Sequence, residues 1–334
     1  MVSVEARADR AEVSSLTVGP RVLGQLARTH PQLHRVAVSA QATAEPKVLA
    51  ASIEGAIQPK GSVDMSLEMV DTEALDTGKY QAMIIQDPND RRGIRGFFHF
   101  YRAYPASAVR DPVSTGNTYQ TYQNDAIRGL SKVVDAVNRY TSIRCNVKGS
   151  IHFDSTELVK TPWIYHLGVS NFEFTPSEAI NLAKYMQAGG LFFADTIYGG
   201  ANTLGDASNR SMIRQALGSA GVKYERDWTF EKLPTGHALY HCFFDFEGPP
   251  AGGWAPYRIY PIVPVHFLEA VTIAGRVLAI VSLQWYAKTW GGWGPGTPWQ
   301  NQNNLRQLQF GVNIVVFALT QEGSITNRVM DTVR

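Results

Sequence analysis

Only two cysteines, Cys145 and Cys242, occur in the 334 residues, which excludes a disulfide framework and any four-thiolate metal site. A single bridge between them stays open, but two free buried thiols are the expectation. Charged residues make up 18% of the chain, against a usual level of roughly 25%. The net charge of +2 is scattered, with only short clusters such as Arg91-Arg92. Nucleic-acid binding needs a concentrated positive stripe to displace counterions, so that class is excluded. No run approaches the ~18 apolar residues that span a bilayer. The first fifteen residues interleave charges with small side chains and contain no apolar core, unlike a signal peptide. The expectation is a soluble protein, cytoplasmic by default, or exported with its signal absent from this chain.

What the chain does contain is a core. Hydrophobic residues make up 44%, near the globular norm. Tyr, Trp, Asn, Gln and Gly fill the place of the missing charges. Such a surface suits an assembly or a carbohydrate-like ligand.

The N-terminal third reads as a short amphipathic helix at 20–29, a strand at 34–41 and a helical segment at 46–57. Strands at 65–70 and 81–87 follow. Together they suggest an α/β segment spanning 1–90 that packs on the main domain at 91–334. The turn-rich, charged stretch 87–93 is the candidate boundary. The main domain opens with an aromatic strand at 96–105 and a long helix at 117–140. In that helix Ala126, Leu130, Val133, Val137 and Tyr140 make one apolar stripe. Strands at 149–154 and 162–168 follow. Thr175, Pro176 and Glu178 then spell an N-cap, a first-turn proline and a capping box. Gly189-Gly190 stops that helix, and LFFAD at 191–195 is a buried strand. A helix at 209–220, an irregular stretch at 222–264, a strand at 276–285, a long loop at 290–304 and a helix at 309–323 complete the chain. Strands alternating with helices imply an α/β fold with a doubly wound, mainly parallel sheet.

Three segments carry a resemblance: TPSEAINLAKYMQAGGLFFADTIYGG (175–200), HALYHCFFDFEGPP (237–250) and GVNIVVFAL (311–319). From about Phe97 to Leu319 the chain resembles the bacterial domain of unknown function numbered 4159. That resemblance implies a flavodoxin-like, class I glutamine-amidotransferase-like fold. Two departures stand out. The family's turn ahead of the capped helix is replaced by His166-Leu-Gly-Val-Ser170, and its paired acid is reduced to Ala194-Asp195-Thr196. Enzymes of the implied fold use a cysteine on a strand-to-helix elbow with a downstream His and Glu. Neither Cys145 nor Cys242 has a G-x-C-x-G setting, so the nucleophile is expected to be absent.

The candidate ligand-binding residues are Asp195, Tyr198, Gly199 and Gly200, where a parallel strand ends, joined by Asn171 from the neighbouring strand exit. The bland alternative is that Asp195 braces its own turn. Asp195, His166 and Ser170 supply the residue types of a hydrolase, although Ser170 lacks the Gly-flanked elbow. His237, His241, Asp245 and Glu247 are dense in metal-capable groups. Read as a strand, however, His237 and His241 would lie about 13 Å apart, so no metal and no cofactor is expected. Trp285, Trp290, Trp293 and Trp299 are expected to form an interface or an aromatic platform for a glycan. The functional expectation is a non-enzymatic binding or assembly protein with a protein partner or self-association. The alternative is a hydrolase-like enzyme acting on a glycan or peptide through Asp195, His166 and Ser170.

Overall fold

The computed structural model describes residues 76–109, 117–169, 173–197, 203–252, 266–292 and 304–333. The elements expected before residue 76 lie outside that set. In chain order the described elements are β1 (Ala82–Asp87), β2 (Asp90–Tyr104), α1 (Asn117–Tyr140), β3 (Ser142–His152) and β4 (Trp163–Gly168). Then come α2 (Pro176–Ala188), β5 (Leu191–Thr196), α3 (Leu204–Ser219), β6 (Glu231–Lys232) and β7 (Glu269–Ile273). The series ends with β8 (Arg276–Ser282), α4 (Tyr286–Trp290), α5 (Leu305–Thr320) and α6 (Ile325–Val333).

The eight strands form one mixed sheet. Its centre is parallel, in the order β3-β2-β4-β5-β8. Its margins are antiparallel: β1 on β2, β7 on β8 and β6 on β7. The fifteen-residue β2 is long enough to hold β3 along one side. On its other side β1 pairs with the first half and β4 takes over at Tyr101.

Helices cover both faces. Leu130 and Val133 of α1 and Val312 and Val315 of α5 share one core with Phe98, Phe100, Tyr165, Phe193 and Ile280 of the sheet. Leu182 and Met186 of α2 and Met212 and Ile213 of α3 share the other with Ile164, Phe192 and Leu278. Central strands are therefore buried on both faces, which is why LFFAD and VLAIVS read as unbroken apolar runs. Each large side chain so buried contributes about 1.5–3 kcal/mol.

Local signals behave as their chemistry dictates. Thr175 Oγ1 accepts the Glu178 N–H at 3.3 Å, and the Glu178 carboxylate accepts the Thr175 N–H at 2.9 Å. Gly189 ends α2 at φ 109°. Other expectations are corrected. The stretch 87–93 holds the Pro88-Asn89 turn of the β1–β2 hairpin and the first residues of β2, and β1 belongs to the same sheet. Helix α3 starts at Leu204, five residues earlier than the apolar pattern suggests, because Thr203 caps it through the Asp206 N–H. Residues 237–241 are a 3-10 turn rather than a strand, with His237 as its cap. Strand β7, in a stretch without a legible period, is created by a two-residue turn at Ala274 and Gly275. Both have positive φ, at 52° and 78°, as a type I′ hairpin requires. Among the described residues no helix is long and apolar enough to cross a membrane.

Candidate functional site

Asp195 is the last-but-one residue of β5 and is fully buried. Its Oδ2 accepts the Tyr165 hydroxyl at 2.8 Å and the Ala287 N–H at 3.1 Å. Ser282 stands opposite it in the β5–β8 ladder. Burial pushes the carboxyl up to about 6, and the bonds from Ser282, Tyr165 and the backbone partly oppose that rise. The acid is thus a brace reaching 92 residues along the chain to the start of α4. It is not the open acceptor expected of a ligand pocket.

His166 lies on β4, beside Asp195 in sequence logic but not in space. In the β4–β5 ladder His166 pairs with Ala194 and Asp195 with Leu167. Side chains alternate across a sheet, so the two groups point to opposite faces. His166 rests against Phe153 and Phe192 in the α2–α3 core, and its Nδ1 bonds the Ala103 carbonyl at 3.0 Å. Burial pulls its pKa down to about 4, which keeps the ring neutral. The structure does not bring His166 and Asp195 together. Ser170, Asn171, Tyr198, Gly199 and Gly200 lie outside the described residues.

The turn from β8 into α4 has the shape of an elbow. Trp285 sits between strand and helix at φ 55° and ψ 51°, a strained setting for a bulky residue. Two glycines let neighbouring backbone close on the turn. A Cβ on Gly129 would lie 2.4 Å from the Ala287 carbonyl oxygen, and one on Gly252 would lie 1.8 Å from that of Gln284. The Trp285 indole is fully buried, edge-on to Tyr122 and covered by the Lys288 ammonium at 4.1 Å. Burial lowers the pKa of Lys288 and raises that of its electrostatic neighbour Asp125 on α1.

The interface expectation for Trp285 and Trp290 is corrected by their packing. Trp290 is also fully buried, stacked on Tyr286 at 5.5 Å, and its indole N–H donates to the Gln307 carbonyl at 2.8 Å. Both tryptophans pin α4 to the chain's own core. Trp293 and Trp299 lie outside the described residues.

The remaining candidates have local partners. His237 Nδ1 accepts the Leu239 N–H at 3.1 Å, and His241 joins Asp245 and Thr235. Among the described residues no His, Cys, Asp and Glu cluster could hold a metal ion. Cys145 and Cys242 are free, and burial raises both thiols, Cys242 to about 12. Sequence reasoning missed Tyr165, Ser282 and Asn313, the last of which clamps the 239–244 loop. The Asn313 amide donates to the Leu239 and Phe244 carbonyls, and its oxygen accepts the Phe244 N–H. A lone Asn inside the apolar GVNIVVFAL helix was the available signal, since a buried amide must be bonded.

Parallel strands flanked by helices, with a buried acid bonded to the strand-to-helix turn at Ala287, define an α/β protein. The chain belongs to the family described as Domain of unknown function (DUF4159), whose profile matches residues 113–319. No curated protein matches the chain.

Proposed function

We propose that this chain is a non-enzymatic binding or assembly protein on a flavodoxin-like, glutamine-amidotransferase-like scaffold that lacks a nucleophile. The strand order supports the scaffold: counted among themselves, the five parallel strands run 2-1-3-4-5. The observation that carries the functional reading is Trp285. An elbow of this kind presents a nucleophile in hydrolytic enzymes, and here the positive-φ position holds a buried indole. The acid beneath it is committed to Tyr165 and Ala287. The hydrolase reading through Asp195, His166 and Ser170 would need two groups that point to opposite faces of the sheet. A protein partner, a second copy of the chain or a glycan is the ligand class this reading implies.

Native mass spectrometry of the full-length protein, alone and with an oligosaccharide panel, should show self-association or a stoichiometric complex. Ester, amide and glycoside panels should yield no turnover. Turnover that disappears in a folded Asp195→Asn or His166→Phe variant would overturn the proposal.

A further inference from the structure

Strand β3 lies at a margin of the sheet. It pairs with β2 on one side, and among the described residues no strand lies on the other. Ile143 and Cys145 are buried in the core shared with α1. Arg144 and the unbroken run 146–150 are exposed, the apolar Val147 among them. An open edge of this kind offers unpaired backbone N–H and C=O groups to another strand. Lys148 guards it. That residue is the extra one where pairing shifts from Phe100 with Val147 to Tyr101 with Gly149, and Gly149 follows at φ 124°. A lysine and a bulge discourage indiscriminate pairing. Since β3 carries Arg144 and Lys148 and no acid, the strand it favours is one that brings carboxylates.

The chain supplies such a segment at the right place. Asp76 Oδ2 lies 2.6 Å from Arg144 Nη2 on β3 and 2.9 Å from His99 Nε2 on β2. From there the chain runs on to form β1, on the far side of β2. The segment DMSLEMVDTEAL (64–75), outside the described residues, holds Asp64, Glu68, Asp71 and Glu73 and no base. We propose that residues 65–70 of this chain dock on the open edge of β3 as an added antiparallel strand. Residues 71–75 can span up to about 17 Å, and the position beyond β3 is one strand spacing away, about 4.8 Å. A strand that must lead back to Asp76, beside the amino end of β3, runs antiparallel to it. Alternation then matches on both faces. Met65, Leu67 and Met69 extend the apolar row of Ile143, Cys145 and Val147. Glu68 falls on the face of Arg144, where the Asp76 carboxylate already sits.

Hydrogen exchange of the full-length protein, read at single amides and at two protein concentrations, tests the docking. The outward-pointing amides of 144–150 should be protected together with 66–70, and equally at both concentrations. Leu67→Pro removes a backbone donor and fixes φ. It should lower protection of both segments about tenfold, as a local opening, and leave β4, β5 and β8 unchanged. Glu68→Lys, which sets like charge beside Arg144 and Lys148, should weaken the same amides without a proline. Unprotected outward amides in β3, or protection that survives both variants, would overturn the proposal. Protection that rises with concentration, alongside a dimer in native mass spectrometry, would overturn it too and assign the edge to a second copy.

Discussion

Asp195 and His166 stand one residue out of step in neighbouring strands, His166 opposite Ala194 and Asp195 opposite Leu167, and so occupy opposite faces of one sheet. Their burial shifts have opposite effects on stability. The Asp195 carboxyl is raised from 3.8 to about 6 in the folded chain. Folding therefore takes up a proton between those values, and this contribution to stability declines as pH rises through them. His166 is lowered from 6.5 to about 4. Its contribution is present above 6.5 and is lost as pH falls toward 4. Each is worth roughly 3 kcal/mol at about 1.4 kcal/mol per unit, so across the overlap they nearly cancel.

Single variants should expose the cancellation. Asp195→Asn is expected to melt above the wild type at pH 7.5 and level with it near pH 4, provided the amide keeps the Tyr165 and Ala287 bonds. His166→Phe should gain relative to the wild type as pH falls from 7 to 4.5. Thermal melts across this range check both. Difference curves that slope the same way with pH would contradict the assignment.

Trp290→Ala should cost roughly 3–5 kcal/mol, the range for deleting a buried aromatic side chain, because the indole is fully enclosed and bonded to Gln307. Assembly state at matched folded concentration should not change. Denaturant titration and native mass together distinguish this from an interface role.

Gly129→Ala pits two effects against each other. Replacing a helical glycine by alanine gains up to about 1 kcal/mol of propensity. The new Cβ, however, would lie 2.4 Å from the Ala287 carbonyl oxygen, and overpacking against backbone costs typically 1–3 kcal/mol. Net destabilisation is expected, read as a lower melting temperature.

Asn313→Leu removes the clamp on the 239–244 loop and leaves the Phe244 N–H and the carbonyls of Leu239 and Phe244 without their amide partner. Unmet buried polar groups cost about 1–3 kcal/mol each. Hydrogen exchange should rise first at 239–244, before the sheet loosens. Uniform loss of protection would show that Asn313 supports the whole core and not this loop.

Features that depend on near neighbours are legible along the chain. The Thr175–Glu178 box and Gly189 delimit α2, the apolar run 191–195 marks a doubly covered strand, and the stripe on 117–140 marks a helix against a sheet. Their partners lie within a few residues, so spacing alone reveals them. The candidate site was legible only as residue types. Whether Asp195 and His166 meet depends on strand register, and the brace from Asp195 to Ala287 closes across 92 residues. The burial of Trp285 and Trp290 depends on α1 and α5 closing over a turn that two distant glycines leave open. Such contacts are decided where elements far apart in the chain pack together, and no local pattern encodes which side chains will then be facing each other.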